Sequence, residues 1–145
     1  MRRRAFLAVA LAALAATTTA VSAQQSKDIV VEDAWAPPTP GASKTAAVYF
    51  TVVNRGSTPD RIVGAETPAA QHADMHTTIR DGDVMRMRHV VSVDIPPGGK
   101  AVFAPNGFHV MLTGLAAPLK MGDALPITLK FAEAGDILVV ATVRR

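Results

Sequence analysis

Residues 45–54, TAAVYFTVVN, are the segment of this 145-residue chain that decides its fold. The segment is almost wholly apolar, it is rich in β-branched and aromatic residues, and the turn residues 55–59 (RGSTP) follow it directly. A short apolar run of this composition, closed by turn residues, is typical of a strand inside a sheet. We therefore predict a central core strand over residues 45–54.

Short apolar runs and turns repeat on both sides of that strand. No stretch after residue 23 shows a convincing 3.6-residue apolar period, so helices should be minor. The pattern predicts an all-β chain, an antiparallel β-sandwich of the immunoglobulin-like kind with a turn about every 8–12 residues. The sequence gives about nine short strands, at residues 28–35, 45–54, 61–65, 71–78, 84–93, 100–104, 108–112, 127–132 and 137–143.

The first 23 residues have the organisation of a secretory signal. Three arginines at positions 2–4 precede an apolar run over residues 5–16, and Val21-Ser22-Ala23 offers the small residues that a signal peptidase needs. The apolar run is too short to span a bilayer. Cleavage after Ala23 would leave one domain over residues 24–145 in the periplasm. Arg3-Arg4-Ala5-Phe6-Leu7 is similar to a twin-arginine signal, but arginine runs are common in ordinary signals, so we expect export by the Sec route.

Charge and cysteine content exclude several functions. Three of the 15 Lys and Arg residues lie in the signal, which leaves 12 against 12 Asp and Glu. A domain without net charge loses the main support for nucleic-acid binding. The chain has no cysteine, which excludes disulfides, thiol nucleophiles, iron–sulfur ligation and a blue-copper centre with its Cys thiolate.

Histidine and methionine are concentrated in one part of the chain. Residues 72–111 hold all four histidines and four of the five methionines that follow Met1: His72, His76, His89, His109, Met75, Met85, Met87 and Met111. Core-filling methionines have no reason to gather beside histidines in this way. We therefore expect a site built from imidazoles and thioethers.

Strand geometry predicts which of these side chains share a face. Side chains two positions apart on a strand point the same way, so His109 and Met111 should project together. The same rule groups Met85, Met87 and His89, with Arg86 and Arg88 on the other face. His72, Asp74 and His76 share a face if that segment is extended.

Imidazole and thioether ligands suit Cu(I), a soft monovalent ion. The imidazoles must be neutral to bind, so the affinity should fall below about pH 6.5. The pair His72-x3-His76 could instead place two imidazoles one helical turn apart for zinc, although the turns in this region disfavour a helix.

The spacing of four of these residues resembles a known motif. His76, Met87, His109 and Met111 are separated by ten, twenty-one and one residues, which is similar to the H-x10-M-x21-H-x-M motif of the periplasmic copper chaperone family PCuAC. Further similar segments are 36–41, 60–65, 84–88, 95–99 and 107–112. The resemblance covers nearly the whole chain after the signal.

The resemblance implies a cupredoxin-like β-sandwich that binds one Cu(I) through His76, Met87, His109 and Met111. It also implies delivery of copper to the Cu_A centre of cytochrome c oxidase, in its subunit II, alongside Sco-type proteins. Some members have a methionine directly after the first motif histidine, where this chain has Thr77. The roles of His72, Met75, Met85 and His89 stay open: they could support the ligands, receive the ion transiently, or be structural.

Two other classes of function remain as alternatives. A copper-dependent redox enzyme is disfavoured, because thioethers do not stabilise Cu(II) and the predicted mature start, Gln24, is not the histidine that a histidine-brace enzyme needs. No catalytic Ser-His-Asp or paired-carboxylate arrangement is indicated either. A metal-free interaction module would share the same sandwich. Trp35 and Tyr49 are expected to anchor the core rather than to bind metal.

Overall fold

Ten β-strands account for most of residues 28–145, the part of the chain that this computed structural model describes. The predicted signal and its cleavage site lie outside the described residues. The strands are β1 (Ile29–Ala36), β2 (Thr45–Asn54), β3 (Asp60–Glu66), β4 (Ala70–Asp81), β5 (Val84–His89), β6 (Val93–Ile95), β7 (Lys100–Phe103), β8 (Phe108–Leu115), β9 (Ala124–Phe131) and β10 (Gly135–Val143). The prediction of an all-β sandwich is confirmed.

Hydrogen bonds join the ten strands in the order β5-β4-β8-β7-β2-β1-β10-β9-β3-β6, so β5 and β6 lie at the two ends. β2 is central, as predicted: it pairs with β1 on one side, and β7 and β8 lie in tandem along its other side. Most strand pairs are antiparallel, but β1 with β10 and β7 with β8 are parallel. The prediction of an antiparallel sandwich did not include these two parallel pairs.

The alternation of β2 shows how the sequence fills the core. Ala46, Val48, Phe50 and Val52 are buried, and the residues between them are more exposed. The strand ends at Asn54, a buried polar residue whose Nδ2 donates to the carbonyls of Thr58 (2.8 Å) and Ile95 (3.2 Å). Its Oδ1 accepts a hydrogen bond from the backbone N–H of Gly56 at 3.0 Å. The Asn54 amide thus provides hydrogen-bond partners for backbone groups of a tight turn, which an apolar side chain could not do.

The structure corrects the predicted strand count. Residues 84–93 are not one strand but two, β5 and β6, because the chain leaves the edge of the sheet after His89 and pairs with β3 at the other end. The backbone N–H of Val90 donates to the Met75 carbonyl at 2.8 Å and fixes this departure. β8 also continues to Leu115, beyond the predicted end of that strand at residue 112.

Trp35 and Tyr49 do not anchor the core as expected. They are half-buried, and their rings pack against each other at 4.9 Å. The Arg144 guanidinium lies 4.6 Å from the centre of the Trp35 ring. The pair therefore covers the sheet from outside. Within residues 28–145 there is no helix long and apolar enough to cross a membrane.

Candidate metal centre

Three neighbouring strands carry the histidines and methionines: β4 lies between β8 and the edge strand β5. The register places His76 of β4 directly opposite His109 of β8 and, on its other side, opposite His89 of β5. Residues directly opposite each other point to the same face of a sheet. Three imidazoles therefore lie in a row across the strands, with His76 in the middle.

This face is the one turned away from the core. Val110 and Leu112, which alternate with the site residues on β8, are fully buried, and Met75 of β4 is buried opposite Val110. Met75 therefore belongs to the core and not to the site. The alternation places His109 with Met111, and Met87 with His89, on the outer face, which follows the strand rule used for the sequence.

The His76 and His109 imidazoles are neighbours on this face, where His109 is buried and His76 is half-buried. Their ring centroids are 5.8 Å apart, and the ring planes meet at 78°. Among the described residues, His76 Nδ1 and His109 Nε2 are the two buried side-chain polar atoms without a hydrogen-bond partner. Buried polar atoms are nearly always satisfied, so an unsatisfied pair in one place needs an explanation.

The backbone orients the His109 ring. His109 Nδ1 lies 3.2 Å from the carbonyl oxygen of Gly107. Because a carbonyl oxygen only accepts, Nδ1 carries the proton and donates, which leaves Nε2 with its free lone pair. Metal-binding histidines characteristically use their second nitrogen in this way.

The surroundings of His76 favour the neutral form of its ring. Burial lowers the pKa of His76 below its ordinary value, and the neighbouring His109 and His89 lower it further, while Asp74 acts in the opposite direction. A neutral imidazole has a lone pair for a metal ion at neutral pH.

The two motif methionines flank the histidine pair on opposite diagonals. Met111 lies two positions beyond His109 and opposite Asp74, and Met87 lies on β5 opposite Thr78, two positions beyond His76. Diagonal neighbours on one face are within reach of long side chains. Met111 is half-buried, whereas Met87 is 60% exposed. Met87 is therefore the most accessible sulfur of the four-residue motif.

One further histidine and one further methionine lie outside this group. His72 is exposed on the same strand, four residues before His76, and Met121 is exposed in a turn. The helical alternative for His72 and His76 is wrong, because both are part of β4 and not one helical turn apart. Sequence reasoning missed the contact of His89 with His76, although the two-residue turn at Gly82-Asp83 fixes that register.

Nitrogen and oxygen ligands alone do not complete a site here. Among the described residues there is no group of three or more His, Cys, Asp and Glu side chains placed to hold a metal ion. A metal site on this face would therefore need thioether sulfur in addition to the His76 and His109 pair, and thioethers are soft ligands that suit Cu(I).

Comparisons with known proteins show which family this chain resembles in sequence. A family model described as "Putative lipoprotein LpqE-like" matches residues 29–143. "Putative lipoprotein Lxx21020" of Leifsonia xyli subsp. xyli is 34% identical over 122 residues, which is 83% of this chain and 72% of that protein.

Two solved structures extend the likeness to the whole sandwich. The "Copper-bound PCuAC domain from PmoF2" has a TM-score of 0.70 and 26% identity, and the match covers 81% of this chain and 92% of that one. The "Solution structure of CuI-DR1885 from Deinococcus Radiodurans" has a TM-score of 0.65 and 35% identity, with coverage of 84% and 81%. The fold of this chain therefore matches the folds of these two copper-bound structures over most of the described residues.

Proposed function

The chain belongs to the LpqE-like family and its structural relatives are PCuAC domains, as the sequence predicts, and on that premise we propose that it is a Cu(I)-binding metallochaperone. One ion per domain is held by His76, Met87, His109 and Met111. The observation that carries the proposal is the pair of buried, unpartnered imidazole nitrogens on His76 and His109. An ion between them would satisfy both atoms.

The donor set selects the oxidation state. The two thioethers are soft ligands, the two imidazoles are neutral nitrogen ligands, and together this uncharged set favours Cu(I). Without a thiolate, binding is weaker than at a cysteine site, which favours passing the ion onward. The copper-bound state of PmoF2 and the Cu(I) state of the Deinococcus protein support the choice of metal.

A carrier explains the surface better than an enzyme does. The same ligands disfavour the Cu(II) state that a copper-dependent redox enzyme needs, and no catalytic residue is proposed. A metal-free interaction module would have no use for two buried nitrogens without partners. Catalysis is tested by incubating the loaded protein with O2 or peroxide, and we expect no turnover.

Delivery is proposed to the Cu_A centre of cytochrome c oxidase subunit II, directly or through a Sco-type protein. We also propose that residues 1–23 are a cleaved signal and that residues 24–145 work in the periplasm. The support for export is the signal-like sequence and the lipoprotein name of the Leifsonia relative.

The experiment is an anaerobic Cu(I) titration of the purified protein in competition with bathocuproine disulfonate. One ion should bind per chain, and alanine at His76, Met87, His109 or Met111 should weaken it. His72→Ala and Met121→Ala are matched controls, since both residues are exposed and outside the group. The proposal would be overturned if the wild type bound no Cu(I), or if all four site variants bound it with the affinity of the wild type.

A further inference from the structure

The His76 imidazole has a second imidazole neighbour that the four-residue motif does not include. The ring centroids of His76 and His89 are 5.8 Å apart at 78°, the same separation and angle as for His76 and His109. The two partners differ in access: His109 is 3% exposed, whereas His89 lies on β5, where all six residues are exposed.

The three imidazoles cannot serve one ion together in this arrangement. The proposed resting site already gives the ion four ligands, His76, Met87, His109 and Met111, and His89 is not among them. Consistently, the described residues contain no group of three His, Cys, Asp and Glu side chains placed around one ion. His89 and His109 can therefore bind an ion held by His76 in turn but not at once.

The sulfurs lie on both sides of His76. On β8, Met111 shares a face with the buried His109, and on β5 the exposed Met85 and Met87 share that same face with His89. Beside His76 and Met87, the ion can thus meet two sets of ligands: His109 with Met111 on β8, and His89 with Met85 on β5. Each set has an imidazole and a thioether, which suit Cu(I).

We infer that His89 is the exit ligand for Cu(I): the bond from copper to His109 breaks as a bond to His89 forms, and the ion moves to the exposed edge of the sheet. Copper stays Cu(I) throughout, and His76 holds it during the exchange. β5 pairs only with β4 among the described strands, so an acceptor reaches this edge freely. The inference rests on the proposed Cu(I) function.

The test is the rate at which the Cu(I)-loaded protein loses its ion to excess bathocuproine disulfonate, followed anaerobically by stopped-flow absorbance. His89→Ala should slow release about tenfold, which corresponds to about 1.4 kcal/mol in the barrier. Its equilibrium affinity should stay close to that of the wild type, because the four ligands of the resting site are intact. His89→Met, which restores a soft ligand, should recover the fast release.

His72→Ala is the matched control, since it removes an exposed histidine from the same face without a contact to His76, and its release rate should not change. Unchanged release by His89→Ala would overturn the inference while leaving the proposed function intact. So would a loss of equilibrium affinity as large as that of His109→Ala, because His89 would then be a ligand of the resting site. No Cu(I) binding by the wild type would overturn the proposed function itself, and the inference with it.

Discussion

Replacing His109 with leucine separates two effects of the imidazole on the free energy of unfolding. One is its cost in the metal-free protein, and the other is its contribution when copper is bound. The ring is buried with Nε2 unpartnered, which costs about 1–3 kcal/mol, whereas its Nδ1 hydrogen bond contributes about 0.5–1.5 kcal/mol. Leucine has a similar size and neither group. The Gly107 carbonyl keeps a partner, because the backbone N–H of Thr78 also donates to it at 3.1 Å. Without metal, His109→Leu should therefore raise the free energy of unfolding by about 1 kcal/mol.

With Cu(I) bound, the wild type should instead be more stable than His109→Leu. An ion that binds only the folded state at about 1,000 times its Kd adds about 4 kcal/mol to the free energy of unfolding. The wild type should gain this increment, and His109→Leu should lose most of it. The assay is anaerobic urea unfolding followed by circular dichroism, with and without Cu(I) buffered by bathocuproine disulfonate.

His72→Leu is the control for this comparison. The residue is exposed, so the variant should stay within about 0.5 kcal/mol of the wild type in both states. The reasoning is refuted if His109→Leu without metal is clearly less stable than the wild type. It is also refuted if Cu(I) stabilises His109→Leu as much as it stabilises the wild type.

Further predictions concern pH, the two motif sulfurs and the buried Asn54 amide. Because the pKa of His76 is lowered in the folded chain, the unfolded chain binds more protons as the pH falls through about 6.5, so the metal-free protein should lose stability on acidification. Cu(I) affinity should fall at low pH as well; a flat affinity between about pH 5 and 8 would contradict a neutral-imidazole site. Met87→Leu and Met111→Leu keep the apolar volume but remove sulfur, so each should weaken Cu(I) binding and shift stability by less than about 1.5 kcal/mol; unchanged affinity in both would exclude thioether ligation. Asn54→Ala leaves buried groups unpartnered and should cost about 1–3 kcal/mol in urea unfolding without changing Cu(I) affinity, and an affinity loss there would show that the site depends on the whole fold.

Local patterns carry much of the fold. The strand over residues 45–54 was predicted with its observed bounds, because an apolar run closed by Arg55 and Gly56 has few other structures open to it. The break between β5 and β6 was missed, since no glycine or proline lies between Val84 and Val93. That break depends on where the second half of the segment pairs, which is a long-range property that local sequence does not encode.

The same division applies to the site. Alternation along a strand predicts that His109 and Met111 share a face, and the Gly82-Asp83 turn is sufficient to pair His76 with His89. The pairing of His76 with His109 joins strands more than thirty residues apart, and no turn fixes it. The burial of the two free nitrogens depends on packing around them and could be found only in the structure.

X-ray absorption of copper in the loaded protein tests the central claim most directly. We predict a Cu(I) edge with nitrogen and sulfur scatterers in equal number, and loss of the sulfur contribution in the Met87→Leu/Met111→Leu double variant. A spectrum of nitrogen and oxygen scatterers alone, unchanged in that variant, would contradict a site of two imidazoles and two thioethers.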